Sequence, residues 1–343
     1  MLTWIKKYVK ATLAALAYSS GLLRLLATRR LRGRAVVLMY HRVLPRDRLE
    51  ESFSARSITV TPETFRRQMR LLRRLASPLS VDELQRALEE GRFPPRACVV
   101  TFDDGWYDNL EHALPILEEF RIPAVVFVAV DYIGTGACFW QERLSRLLFV
   151  AAGSGEASRE LFAGFGHPRI PALDAARRRE AVRGIVDSLK QASVAERDAA
   201  IGRVEAYVTS RGLAVANGHP DRFLDWDGVR TLARSGVVTI GSHCCTHTPL
   251  TKLAPADVAA ELTRSRDVIR EKLGAAPQAL AYPNGDHDAA IAELTGNTYS
   301  LAFTTERGFV DRGAHRTRLR RYNIHEHSTD TDGTFLARIA GLL

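Results

Sequence analysis

Ala97-Cys98-Val99-Val100-Thr101-Phe102 runs without a charge into Asp103-Asp104-Gly105. An unbroken apolar and β-branched run of this length is what a strand buried on both faces requires, and such strands build parallel sheets covered by helices. Working outward, similar runs recur at 35–39, 124–130, 236–240, 279–282 and 301–304, with a weaker one at 319–324. Between them lie segments of helical periodicity at 62–75, 81–90, 109–120, 226–235 and 255–273. Strands alternating with helices predict an α/β fold on a parallel sheet. Seven of them predict an irregular (β/α)7 TIM-like barrel in preference to an open doubly wound sheet. No Gly-rich dinucleotide or phosphate loop follows any run, which excludes the usual nucleotide-binding readings.

Two segments depart from this rhythm. Residues 141–220 are rich in Ala, Arg and Glu and contain no credible strand, so a helical insertion is expected there, as a lid or as a stabilising excursion. The other is the leader. Lys plus Arg total 48 against 39 Asp plus Glu, a net charge of +9. Residues 1–34 hold eight basic residues and no acid, and so supply all of that excess but one. A near-neutral body argues against nucleic acid as a partner, because a nucleic-acid binder carries its cations across the folded domain. The longest uncharged stretch of the leader, 11–23, falls short of the roughly 20 apolar residues needed to span a membrane. The segment reads as a basic amphipathic helix over 1–33, associated with a membrane surface or packed on the body. Lys6, Lys7 and Lys10 before a short apolar run, with Ala15-Leu16-Ala17 after it, also fit a signal peptide. The barrel is expected over 34–343.

The four cysteines, Cys98, Cys138 and the adjacent Cys244-Cys245, form no disulfide framework. Free thiols favour a reducing compartment. The expected location is therefore cytoplasmic, or peripheral on the membrane surface, with export as the alternative.

Chemistry collects where the apolar runs end: Tyr40-His41 after the first, Asp103-Asp104 after the second, Ser242-His243 after the fourth, Pro283-Asn284-Gly285-Asp286 after the fifth. In a parallel barrel the C-terminal strand ends share one face, so His41, Asp103, Asp104, His243 and His247 would converge on one cleft. His243 and His247 are four apart, so a helical turn or a wide loop can aim both imidazoles at one point. With one carboxylate they make a divalent-metal set with open positions. Successive strand residues point to opposite faces, so a turn at Gly105 is needed for both aspartates to face the cleft.

At these residues the sequence resembles a family. Thr101-Phe102-Asp103-Asp104-Gly105, Gly241-Ser242-His243-Cys244-Cys245-Thr246-His247 and Ala281-Tyr282-Pro283-Asn284-Gly285 look like the motifs of NodB-type polysaccharide deacetylases. Leu38-Met39-Tyr40-His41-Arg42-Val43 is similar to the permuted branch that includes poly-N-acetylglucosamine deacetylases. The resemblance covers roughly residues 34–325. It implies that Asp104, His243 and His247 hold the metal, with Asp103 as general base and His41 as general acid. The backbone N–H near Asn284 would help hold the oxyanion, with Tyr282 and Pro283 shaping that loop; Tyr40, Tyr282 and Pro283 stand as substrate-binding residues. The implied metal is a divalent cation, zinc first, with cobalt, nickel or iron as alternatives. The implied activity is hydrolysis of N-acetyl groups on the amino sugars of a glycan or glycolipid. Such chemistry needs a polarised carbonyl and a group that protonates the leaving amine near neutrality. The alternatives are another acyl group (N-formyl, O-acetyl or a peptidoglycan unit) or a silent glycan-binding barrel.

This chain departs from the family pattern in places. Cys244 and Cys245 lie between the metal histidines, as packing residues or as a competing soft ligand. The arginine that many relatives carry at the start of the proline loop is absent, and Arg320 or Arg321 on the last strand is a candidate to orient Asp103 instead. His325 and His327, just beyond that strand, are candidates to line the cleft.

Overall fold

The computed structural model describes residues 2–215 and 221–343, with side chains from residue 9 onward. They fall into two compact units: Met1–Arg46, Arg56–Gly136 and Phe223–Leu343 form one, and Asp47–Ala55 with Ala137–Arg222 the other.

Seven strands organise the first unit: β1 (Arg34–Tyr40), β2 (Ala97–Phe102), β3 (Ala124–Val128), β4 (Val238–Ser242), β5 (Ala279–Ala281), β6 (Leu301–Phe303) and β7 (Tyr322–Asn323). β1 to β6 lie side by side in chain order, all parallel. The segment around β7 joins the two edges. Leu319 bridges Phe303 in parallel, and Tyr322 and Asn323 pair in parallel with Leu38 and Met39 of β1. The curled sheet is thereby the expected (β/α)7 barrel.

The period-2 alternation of a strand decides what faces its interior. Ala35, Val37, Val99, Val125, Phe127 and Ala281 share one buried cluster. Residues of the opposite parity face the surrounding helices. Glycine at 241 is a packing requirement, since a Cβ there would lie 2.4 Å from Cδ1 of Phe127.

The longer helices of the first unit are α1 (Leu2–Ser19), α2 (Leu22–Arg30), α3 (Pro62–Leu75), α4 (Val81–Glu90), α5 (Leu114–Phe120), α6 (Trp226–Arg234), α7 (Pro255–Leu273), α8 (Ala289–Gly296) and α9 (Asp332–Ile339). Local chemistry sets their ends. Thr61 caps α3 with Pro62 at its first position, and Ser80 and Glu83 form a capping box on α4, which stops at left-handed Gly91. Residues Asn109–Ala113, just before α5, form a π-helical turn, a rare element found mostly at functional sites.

The leader is two helices, where one was expected. They are bent by 89° at Ser20-Gly21, with Gly21 in the left-handed region at φ 78°. Both pack on α9. Tyr18 donates to Asp332 at 3.1 Å and Arg30 to the Ala340 carbonyl at 3.3 Å. A Cβ at Gly333 would lie 2.7 Å from the Ala14 carbonyl oxygen, so α9 needs glycine where it meets α1. Ala14, Leu23, Ala27 and Leu31 are buried. Met1 lies outside the described residues.

The second unit is helical, built on Trp140–Gly153, Ala175–Ser188 and Val194–Ser210, and no strand occurs among its described residues. Leu144, Leu148, Phe162, Val182, Ile185 and Val204 form its core. The expected insertion at 141–220 is extended at both ends, and its residues 216–220 lie outside the described ones. It also recruits Asp47–Ala55. Buried Asp221 accepts from Ser52 Oγ at 2.5 Å and from the Phe53 N–H at 2.9 Å, tying that distant segment in.

Candidate active site

His41, Asp103 and His243 stand one step beyond β1, β2 and β4 at positions that continue the inner parity, so each side chain turns into the C-terminal mouth of the barrel. Asp104 has the opposite parity, and a straight strand would turn it outward. The chain corrects this with consecutive left-handed residues, Asp104 at φ 79° and Gly105 at φ 81°. For a non-glycine residue that conformation costs about 1–3 kcal/mol. The predicted turn therefore begins at Asp104 itself. After β4, Cys244 (φ 61°) and His247 (φ 56°) are also left-handed, so a loop brings His247 back beside His243, where a helical turn was the other expectation.

Asp104, His243 and His247 offer ligand atoms within 4.8 Å of one another. Nε2 of each imidazole lies 3.4 Å from Oδ1 of Asp104. Ligands about 2.0–2.2 Å from one shared ion stand about 3–3.5 Å apart, so these residues fit a metal. One carboxylate and two imidazoles suit zinc or a neighbouring first-row divalent ion. The tautomer of His243 is set for this role: its Nδ1 meets the Ala281 carbonyl at 2.7 Å, which leaves Nε2 directed at Asp104. Burial pushes the Asp104 carboxyl up, but its interactions with His243 and His247 hold it well below its ordinary value.

The neighbouring carboxylate has a different partner. Arg321, fully buried, grips Asp103 through two parallel bonds, Nη1 to Oδ1 and Nη2 to Oδ2, both 2.7 Å. Its Nε donates to the Thr304 carbonyl at 2.8 Å and its Nη1 also to Thr101 Oγ1 at 3.1 Å. Burial favours the neutral acid, yet the charge and hydrogen bonds of Arg321 hold Asp103 below its ordinary value. Of the two candidate arginines, Arg321 therefore orients Asp103. Arg320 faces outward, pairing at 3.3 Å with Glu306 on the surface. His41 Nε2 stands 3.9 Å from Asp103 Oδ2.

Parity also corrects two substrate-binding expectations. Tyr40 is fully buried on the outer face of β1. Its hydroxyl donates to Gln68 of α3 at 2.9 Å and its ring packs on Phe65 and Phe102. Tyr282 is likewise buried, packed with Val258 and Leu262 of α7, and its hydroxyl donates to the Thr317 carbonyl at 2.9 Å. Both are core residues. Pro283 is buried too, while Asn284 is exposed at φ 58° on the turn Pro283–Gly285, its carbonyl accepting from Thr305 Oγ1 at 3.0 Å. Cys244 is buried in the cluster that holds Tyr282 and is not one of the three grouped ligands. His327 is exposed and His325 half-buried, both beyond β7.

Four residues of the site escaped the sequence reading. Trp106 donates its indole N–H to Asp104 Oδ2 at 2.8 Å. Arg42, fully buried, lies over the Trp106 ring at 4.2 Å and pairs with Asp108 at 2.8 Å. Asp108 in turn accepts the Val43 N–H at 2.7 Å. Asn109, on the π turn, donates to the His41 carbonyl at 2.8 Å. Arg42 lies inside a quoted motif and Trp106 and Asp108 follow another, but only the folded turn shows that they meet.

A family model described as polysaccharide deacetylase matches residues 90–159 and 166–299, more than half of the chain. The chain belongs to the polysaccharide deacetylase family. Over 109 residues this family member is 31% identical to the poly-beta-1,6-N-acetyl-D-glucosamine N-deacetylase of Staphylococcus epidermidis; the match covers 29% of the chain and 38% of that protein. Among solved structures, IcaB from Ammonifex degensii aligns with a TM-score of 0.56 at 19% identity, covering 89% of this chain and 97% of that one. The Streptococcus pyogenes deacetylase PplD, solved with acetate, gives 0.55 at 18% identity, covering 86% and 94%. These likenesses establish the deacetylase barrel fold.

Proposed function

We propose that the chain is a metal-dependent hydrolase that removes N-acetyl groups from the amino sugars of a glycan, with β-1,6-linked poly-N-acetylglucosamine as the first polymer to test. The observation that carries this reading is the juxtaposition of two sets at one barrel mouth. Asp104, His243 and His247 sit as three close donors, and the Asp103–His41 pair stands beside them. A divalent ion held by the three donors, zinc first and cobalt, nickel or iron otherwise, would supply a Lewis acid for the amide carbonyl and lower the pKa of the attacking water.

The protein's own groups do the rest. Asp103, fixed and kept ionised by Arg321, accepts the proton of the attacking water; each of its oxygens keeps a lone pair beyond the one Arg321 uses. His41 Nε2 donates a proton to the departing amine, which cannot leave as an anion. The exposed Asn284 turn is the place for an N–H that meets the developing oxyanion. The name borne by the staphylococcal relative supports an N-acetylglucosamine polymer as substrate.

Purified protein with added Zn²⁺, Co²⁺ or Ni²⁺ should release acetate from partly acetylated chito-oligosaccharides and from poly-N-acetylglucosamine. Release only from N-formyl, O-acetyl or peptidoglycan substrates would move the assignment to that acyl group. A protein that takes up no metal and releases no acyl group from the whole panel would be a glycan-binding barrel.

A further inference from the structure

The leader has two faces. One is docked: Ala14 of α1, Leu23 and Ala27 of α2, and Leu31 beyond it are buried in the first unit. The other is exposed and apolar. Val9 is 51% exposed, Leu13 61% and Leu16 64%, and at helical spacing they occupy an arc of about 60° on α1, away from Ala14. Leu22 and Leu25, each 47% exposed and also three residues apart, add exposed apolar surface on α2. These five are most of the eight large hydrophobic residues exposed among the described ones. Scattered exposed leucines are ordinary, but a contiguous stripe marks an interaction surface. The same two helices and the turn after them expose cations, Lys10, Arg24, Arg29 and Arg32, and residues 1–34 hold no acid.

We infer that this face of the α1–α2 pair lies flat on a membrane surface bearing anionic lipids, holding the enzyme peripherally. Apolar side chains entering the headgroup boundary with Lys and Arg flanking them are the chemistry of an interfacial helix. The absence of any acid makes the complement an anionic bilayer. Spanning does not fit. Among the described residues no single helix is long and apolar enough to cross a membrane, and the bent pair that passes by composition turns through 89°. One side of each helix is also already buried against protein. The inference goes beyond the deacetylase assignment and does not depend on it.

The test uses the full-length protein and vesicles of phosphatidylcholine alone or with about one quarter phosphatidylglycerol, read by co-sedimentation. Expected is binding to the anionic vesicles only, weakened by salt as surface charge is screened. The double variant Leu13→Glu with Leu16→Glu should lose about tenfold or more of that binding. It should keep the parent melting temperature, because the docked face is untouched and Glu is a good helix former. A second variant, Lys10→Glu with Arg24→Glu, should bind less to anionic vesicles. Equal binding of parent and Leu13/Leu16 variant overturns the inference. So does binding by neither, or a shift of the parent from dimer to monomer caused by that variant without lipid, which would make the face a contact between copies. Truncating the leader is the weaker test, since it would strip Ala14, Leu23, Ala27 and Leu31 from the body. Vesicle binding requires no turnover, so its outcome and that of acetate release stand apart.

Discussion

Asp103 and Asp104 are neighbours in sequence and both buried, at 2% and 4% exposure, yet they occupy two different half-sites. Asp103 extends its strand and meets a guanidinium from 218 residues away, which compensates its charge on the spot. Asp104 leaves the strand through a left-handed turn and meets no guanidinium, only the indole N–H two residues on and the Nε2 atoms of two imidazoles. A carboxylate paired with a permanent guanidinium is compensated within the protein. A carboxylate that meets an indole and two imidazole nitrogens has no such permanent cation against it. The chain thus makes two environments from one dipeptide by supplying a guanidinium to only one half.

Exchanging the two halves should have the largest effect. Asp103→Asn is expected to reduce acetate release by about 10³-fold or more while bound metal, measured by elemental analysis, is retained. Asp104→Asn should lose the metal itself. The opposite pattern would reverse the assignments.

Breaking the compensated half comes next. Arg321→Met leaves Asp103 buried and unpaired, and should cost about 3–5 kcal/mol in urea unfolding. Arg321→Lys, which keeps charge but not the two-pronged grip, should cost less. Because Arg321 holds Asp103 below its ordinary 3.8, the stabilisation is complete above that pH and fades as the pH falls below it. The deficit of Arg321→Met should accordingly shrink in acid.

The uncompensated half is sharpened by Trp106→Phe. Removing the indole N–H should lower metal affinity by about 10–100-fold in chelator competition, with little effect on a proton-transfer step that runs through Asp103. Smallest of all is Arg320→Ala. Its partner Glu306 is on the surface, so unfolding free energy should change by no more than about 0.5 kcal/mol. A larger loss there than in Arg321→Met would mean that the neighbouring arginines had been confused.

That last contrast shows where sequence reading reached its limit. Strands legible as unbroken apolar runs are those buried on both faces, and α3 and α4 were legible through their helical periodicity over 62–75 and 81–90. His41, Asp103, His243 and His247 were legible because strand ends in a parallel barrel share a mouth. Arg320 and Arg321 were indistinguishable, since the weak run at 319–324 does not reveal which parity points inward. Tyr40 and Tyr282 were misread for the same reason: adjacent to inward residues, they face the helices. Trp106, Arg42 and Asp108 meet only after the chain turns at Asp104. Likewise Asp47–Ala55 joins the helical unit through Asp221, a contact across 169 residues that no local pattern announces.

The segment that closes the barrel has a consequence for the order of assembly. Leu319 and Tyr322 join the sheet's two edges, and Arg321 between them is the group that steadies Asp103. During synthesis the Asp103 carboxylate emerges 218 residues before its guanidinium, so a ribosome-bound chain can lay down β1 to β4 with that carboxylate still uncompensated in its interior. Folding should therefore be slow, as contacts this far apart in sequence demand. Hydrolytic competence would then appear in one step, with the completed ring.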